Sequence, residues 1–220
     1  MSFNNKQKRA FQTVLSGLQL SKYGLKAVRF LTLTTSPLCV QTSTFENGSI
    51  NGHFQILRKR ICRYSPYRLV KEGYISRNKA RSLYPSDQYF KKFNFEYFKV
   101  ETNEGNGVLH ILYRGSYLPY NFLVDNWQDI HLSWDLNIKK IDIKNPSSSA
   151  LYVVGQYVSN QNSSYVRSSQ SWNWVFRGFK KIWYQFSRFY PDKKIMLWNN
   201  YLKKYSMKYF YPQKNLLDFS

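Results

Sequence analysis

Two cysteines and three histidines are all that 220 residues provide for thiol or imidazole chemistry. Cys39 and Cys62 form neither a C-x-x-C pair nor a ladder, which speaks against a disulfide framework and against a thiolate zinc site. His53, His110 and His131 are too few for a conventional histidine metal cage. Long apolar runs are missing too: each is a few residues, broken by Lys, Arg or Asn, against the roughly 20 that a bilayer crossing needs. Met1 to Ala10 is basic but leads into no apolar h-region, so no secretory signal is expected and the cysteines are expected to be reduced. Neither a G-x-x-x-x-G-K-S/T loop, nor G-x-G-x-x-G, nor H-E-x-x-H occurs, which argues against ATP-driven work, dinucleotide binding and zinc peptidase chemistry. No internal repeat with a period of roughly 20–50 residues is present.

Acidic residues are scarce as well: 12 Asp and Glu stand against 33 Lys and Arg, a formal charge of +21. Hydrophobic residues at 43% still support a real core, so this is a folded domain and not a basic tail. Such a charge answers a polyanion, either nucleic acid or an anionic membrane face. Its distribution favours the first. Residues 1–92 carry 17 basic and 3 acidic side chains, residues 93–160 carry 5 and 7, and residues 161–220 carry 11 and 2. A purely electrostatic binder has no use for an acidic centre between basic ends. An enzyme acting on phosphodiesters does, because carboxylates hold a divalent cation while basic surface holds the backbone.

Hydrophobic periodicity predicts the order αβαββαβα. Phe11, Val14, Leu15 and Leu18 are at helical spacing up to Gly24, and Lys26 to Thr35 is β-branched and aromatic, stopped by Ser36-Pro37. Phe54, Leu57, Ile61 and Tyr64 make one helix stripe between Asn51 and Tyr64, leaving Arg58, Lys59 and Arg60 on a basic face. Ser65 to Lys92 reads as irregular with one short helix. Phe93–Thr102 and Val108–Tyr113 are strands joined by the turn signal Asn103 to Gly107. A helix from Pro119 to His131, a strand from Ile138 to Ile143 and a helix from Ser147 to Asn160 follow. Trp172, Phe176, Phe179, Trp183, Phe186 and Tyr190 then predict one long amphipathic helix ended by Pro191, with a last helix from Lys193 to Met207. The expected fold is α+β: a central antiparallel sheet of four to five strands, the hairpin strands in the middle, helices packed on one side, and amphipathic helices at the C-terminus. The expected division is an N-terminal helix (1–24), a core (25–165) and a basic, aromatic helical segment (166–220).

His110 is the informative histidine. On the strand it shares a face with Val108 and Leu112, and two readings are open: a hydrogen-bonded core histidine, or a metal ligand facing a cleft. Glu101 lies across the hairpin turn, and one imidazole with carboxylate oxygens suits Mg²⁺ or Mn²⁺. Of the basic residues, Arg177, Lys181 and Arg188 at helical spacing and the Arg58-Lys59-Arg60 run are candidates for backbone contacts, or else solvated helix faces. The aromatic stripe reads as core packing, with base stacking as the alternative.

Three segments, in order, resemble the rolling-circle replication initiators (Rep) of the HUH endonuclease superfamily, in the branch with filamentous-phage initiators and archaeal plasmid or virus replication-associated proteins. Phe30-Leu31-Thr32-Leu33-Thr34-Thr35 resembles the first motif, a central strand ending in Thr. Gly107-Val108-Leu109-His110-Ile111-Leu112 resembles the His-hydrophobic-His strand, with Glu101 at the place of a further ligand. Tyr152-Val153-Val154-Gly155-Gln156-Tyr157-Val158-Ser159-Asn160 resembles the Y-x-x-K helix bearing the nucleophile. Ser171 to Phe179 resembles a tail of the archaeal branch, and the likeness spans roughly residues 10–190.

The resemblance implies a tyrosine DNA endonuclease and strand transferase. It would use Mg²⁺ or Mn²⁺ held by His110 and Glu101, nick single-stranded or hairpin DNA through Tyr157 or Tyr152, and start rolling-circle replication with a host helicase and polymerase. Tyr157 matches the motif better; the two tyrosines are about 140° apart around a helix and cannot both face one metal. Two positions depart from the pattern: Val108 replaces the first histidine and Asn160 the motif lysine. The alternative is therefore a catalytically degenerate nucleic-acid-binding protein on the same scaffold; a related transposase or mobilisation nuclease is a third. Abundant Lys, Asn, Tyr and Phe fit an AT-rich genome, in the cytoplasm of a prokaryotic host of a virus or plasmid, or in an organelle, with no membrane partner.

Overall fold

The computed structural model describes residues 5–36, 50–102, 106–157, 167–171 and 173–210. In chain order these form α1 (Asn5–Tyr23), β1 (Val28–Thr34), α2 (Ile50–Ile61), α3 (Pro66–Lys71), α4 (Arg77–Leu83), β2 (Phe95–Thr102), β3 (Val108–Gly115), α5 (Tyr120–His131), β4 (Leu136–Lys140), α6 (Pro146–Tyr157), β5 (Arg167–Gln170), α7 (Phe179–Phe189) and α8 (Lys194–Phe210). The expected α+β class holds: five antiparallel strands in the order β4-β1-β3-β2-β5, with helices packed on the sheet. The first four strands with α2 and α5 make a βαββαβ unit of the split type, with β1 and β3 innermost. No helix of the described residues is long and apolar enough to cross a membrane.

Two compact units divide the chain. One holds Arg29–Lys139 and Ser163–Ser169; the other holds Met1–Val28, Lys140–Asn162 and Gln170–Ser220. The N-terminal helix and the C-terminal helices, expected as separate segments, thus fall in one unit together with α6.

In the sheet unit, alternation along β3 sends Leu109, Ile111 and Tyr113 to the face that α2 and α5 cover. Phe54, Leu57 and Ile61 of α2 are fully buried, as their helical spacing predicts, and Phe54 meets Tyr97 edge-to-face at 5.0 Å. Burying each contributes about 1.5–3 kcal/mol. From α5, Trp127 is fully buried and its indole Nε1 donates to the Thr34 carbonyl at 3.1 Å, so the largest core side chain also tethers the end of β1. Between α2 and β2 the expected irregular stretch contains, besides a 3₁₀ turn at Ser86–Gln88, two short α-helices rather than one. Ser65 and Ser76 cap them, their hydroxyls accepting from the backbone N–H of Arg68 and Lys79.

In the other unit α1 packs against α6 and α8. Gly17 lies under the indole of Trp174, whose Nε1 donates to the Thr13 carbonyl at 3.2 Å. The long helix expected from Trp172 to Tyr190 begins only at Phe179. Gly178 has φ of 83°, a left-handed conformation that no helix continues through, and the buried residues Trp174, Val175 and Phe176 precede it in irregular chain. Trp172 lies outside the described residues. From α7, Trp183 meets Trp198 at 5.4 Å and Phe186 meets Tyr201 at 6.2 Å, so these rings pack on α8 as the core reading expected.

Candidate active site

β2 and β3 pair antiparallel, with Thr102 opposite Val108, Glu101 opposite Leu109, Val100 opposite His110 and Glu96 opposite Arg114. Residues directly opposite each other in such a pair share a face. His110 therefore shares its face with Val100, Thr102, Val108 and Leu112. Glu101 points to the other face with Leu109. The expectation that Glu101 approaches His110 across the hairpin is corrected: the side-chain period of two puts them on opposite sides of the sheet.

His110 is buried; its Nε2 lies 3.4 Å from the Thr102 hydroxyl, and its ring stacks on Phe30 of β1 with centroids 5.9 Å apart. The nearest acidic position on that face of the pair is Glu96, and it is engaged elsewhere. The Arg114 Nε and Nη2 both donate to Glu96 Oε2 at 2.6 Å, Asn94 donates to the other carboxylate oxygen at 2.8 Å, and the ion pair is almost fully buried. One imidazole and one hydroxyl are a poor donor set for Mg²⁺ or Mn²⁺, which favour carboxylate oxygens. Among the described residues no group of three His, Cys, Asp or Glu side chains is placed to hold a metal ion.

Glu101 belongs instead to a network on the α2 face. Asn51, in the first turn of α2, donates through its amide nitrogen to the Glu101 carboxylate and accepts from Lys99 Nζ through its amide oxygen. Lys99 and Glu101 sit two apart on β2, hence on one face, with Asn51 bridging a cation to an anion. Burial pulls the Lys99 ammonium below its ordinary value, and the Glu101 carboxylate draws it partly back. The Lys99 head also lies 5.5 Å from the Phe54 ring centroid, a cation–π contact that helps keep the charge inside.

The other two histidines meet each other. His53 of α2 and His131 at the end of α5 approach at 2.5 Å between their Nδ1 atoms, so one ring donates and the other accepts. His131 Nε2 lies 3.0 Å from the Thr35 hydroxyl, and its ring packs on Trp127 at 4.4 Å. Burial first, then the neighbouring His53, pushes the His131 pKa down to about 4. The threonines at the end of β1 thus close the sheet mechanically: the Thr34 hydroxyl donates to the Asp135 carbonyl at 2.7 Å, and the Thr35 N–H donates to the Gly107 carbonyl at 3.1 Å.

Tyr152 is on α6 and half exposed, at 51%. Tyr157 ends that helix, but its side chain, like Asn160, lies outside what is described. Tyr152 falls in one unit of the chain and His110 in the other. The basic candidates differ among themselves. Arg60 is spent on Asp129 at 2.5 Å, and Arg58 bonds Gln55 and lies over the Tyr97 ring at 5.7 Å. Lys59 is exposed, as are Arg177, Lys181 and Arg188, the last lying over the Phe189 ring. The triplet on α2 is therefore not one continuous cationic face: successive residues fan out by about 100°.

Sequence reasoning missed the His53–His131 pair and the Asn51 bridge, since each joins elements far apart in the chain. No known protein family, no curated protein and no solved structure matches this chain.

Proposed function

We propose that the chain is a replication-associated protein of the rolling-circle type, which takes hold of single-stranded DNA and exchanges one phosphodiester for a phosphotyrosyl ester. The observation that carries the reading is the order of parts: β1 ending in threonines beside β3 in mid-sheet, His110 in the middle of β3, and, after β4, a helix presenting a half-exposed Tyr152 and ending in Tyr157. The charge of +21 supports a polyanionic substrate.

In the exchange a tyrosine oxygen attacks the phosphorus. The new O–P bond forms as the bond to the 3′ oxygen breaks, and the phenolic proton is delivered to the departing 3′ oxygen. One strand end is left as a 5′-phosphotyrosyl ester and the other as a free 3′-hydroxyl. Attack by a 3′-hydroxyl reverses the step and rejoins the strand, because the ester keeps the energy of the original bond.

A second reading rests on its own observation. Glu101 faces α2 and Val108 holds the place of the first histidine, so the ligands implied by the resemblance do not gather at His110. On that reading the scaffold binds single-stranded DNA without cutting it. Incubation with labelled single-stranded DNA pools and Mg²⁺ or Mn²⁺ separates the two. An SDS-resistant protein–DNA adduct that disappears in Tyr157→Phe or in Tyr152→Phe is the expected result. Salt-dependent binding with no adduct under either metal selects the second reading.

A further inference from the structure

The stretch from Ser65 to Lys92 contains a groove of about 550 Å³ lined by Tyr67, Arg77, Arg81, Tyr84, Ser86, Tyr89 and Phe90. That volume lies within the range of small-ligand sites, roughly 300–1,000 Å³. Its floor is fixed. Tyr84 is buried, its hydroxyl donates to the Tyr117 carbonyl at 2.6 Å, and its ring stacks on Phe93 at 5.8 Å. One wall is aromatic and open to solvent: Phe90 is 73% exposed and Tyr67 45% exposed, and both pack on Tyr89. The Tyr67 N–H donates to the Tyr89 carbonyl at 2.9 Å, which holds that wall in place.

The groove also carries two arginines one helical turn apart on α4, Arg77 and Arg81. Neither meets a carboxylate among the described residues. The two acidic residues of this stretch are occupied elsewhere, Glu72 by Arg68 at 2.6 Å and Asp87 by Lys91 at 3.1 Å. Exposed aromatic rings are costly to keep in water, and two like charges at i,i+4 repel; both costs are offset by a ligand with a flat apolar face and an anion.

We propose that this groove binds one unpaired nucleotide of a single-stranded nucleic acid, the base stacked on Phe90 and Tyr67 and its phosphate held between Arg77 and Arg81. The site rests on the single-strand-binding half of the function proposed above and is independent of whether the strand is cut.

The test is fluorescence anisotropy with a labelled 12-mer oligothymidylate, using the full chain. Phe90→Ala weakens binding between about fivefold and a hundredfold, the range for loss of one stacked base, and Phe90→Trp restores it. The double variant Arg77→Ala/Arg81→Ala lowers the slope of log K against log salt by about 0.7, the share of one single-strand phosphate. All three positions of the test are on the surface, and unchanged circular dichroism melts confirm intact folding. A 12-mer of RNA and a DNA duplex of equal length complete the set: loss on either single strand, with duplex binding unchanged, is the expected pattern. If wild-type chain does not bind the 12-mer at all, the single-strand reading itself falls. If it binds and the variants bind equally well, or if they lose duplex binding to the same extent, only the groove proposal is overturned.

Discussion

Between pH 6.5 and pH 4 an unfolded chain protonates the imidazole of His131 while the folded protein does not, because burial and His53 hold the folded pKa at about 4. The unfolded state then binds more protons, so acid favours it. The depressed pKa is a contribution to stability that is complete above the unfolded value and is lost as pH falls toward the folded one. Its full size is the shift of about 2.5 units at 1.36 kcal/mol each, about 3 kcal/mol, and about 2 kcal/mol is gone by pH 5. His131→Gln removes the titrating ring while retaining an amide that can reach the Thr35 hydroxyl. Carboxylates elsewhere titrate alike in both proteins, so the difference between them reports the coupled His53–His131 pair. Urea unfolding followed by tryptophan fluorescence, at half-unit steps from pH 7.5 to pH 4, gives that difference. The wild-type advantage should be constant above pH 7 and shrink by about 2–3 kcal/mol toward pH 4. A difference that stays flat to within about 0.5 kcal/mol, the usual limit of such comparisons, refutes the argument.

Two further outcomes follow from packing. Glu96→Gln leaves Arg114 buried without its anion and should cost about 3–5 kcal/mol in urea unfolding, whereas Glu96→Leu/Arg114→Met together should come back to near wild type; equal losses from the single and double variants contradict the ion-pair reading. Gly17→Ala, which in an exposed helix is stabilising, should here cost about 1–3 kcal/mol and disturb the near-ultraviolet dichroism, because the added methyl meets the fixed indole of Trp174; a raised thermal midpoint counts against that packing.

Much of this architecture is legible in one dimension where a period is strong. The stripe of Phe54, Leu57 and Ile61 announces α2, and the apolar run around His110 announces β3, because both patterns are imposed by burial on one face. Where geometry is supplied by a neighbour, the pattern is silent. β5, with the sequence Arg-Ser-Ser-Gln, has no apolar alternation and becomes a strand by pairing with the free edge of β2. β4 starts at Leu136, two residues ahead of the expected Ile138, because Thr34 binds the Asp135 backbone and draws that segment into line. The start of α7 is set by one left-handed residue, Gly178, which a helical spacing count passes over.

The candidate site is a different case. Its parity was readable: a five-residue turn from Asn103 to Gly107 pairs Thr102 with Val108, and counting back puts Glu101 opposite Leu109, away from His110. Alternation applied to β3 alone does not reach that result; it has to be carried across the turn. The His53–His131 pair, by contrast, joins α2 to the end of α5 and has no local signature.

The register also marks out where a designer's graft would have to write. A slip of one residue cannot deliver Glu101 to His110 without turning Phe95 and Tyr97 out of the core, so the hairpin is closed to that route. Thr102 and Val108 are the open letters: they face each other, flank His110 on its own side, and already bring a threonine oxygen to 3.4 Å from the imidazole. Replacing them with aspartate and histidine would set three metal-ligating side chains on one face of the hairpin in two substitutions.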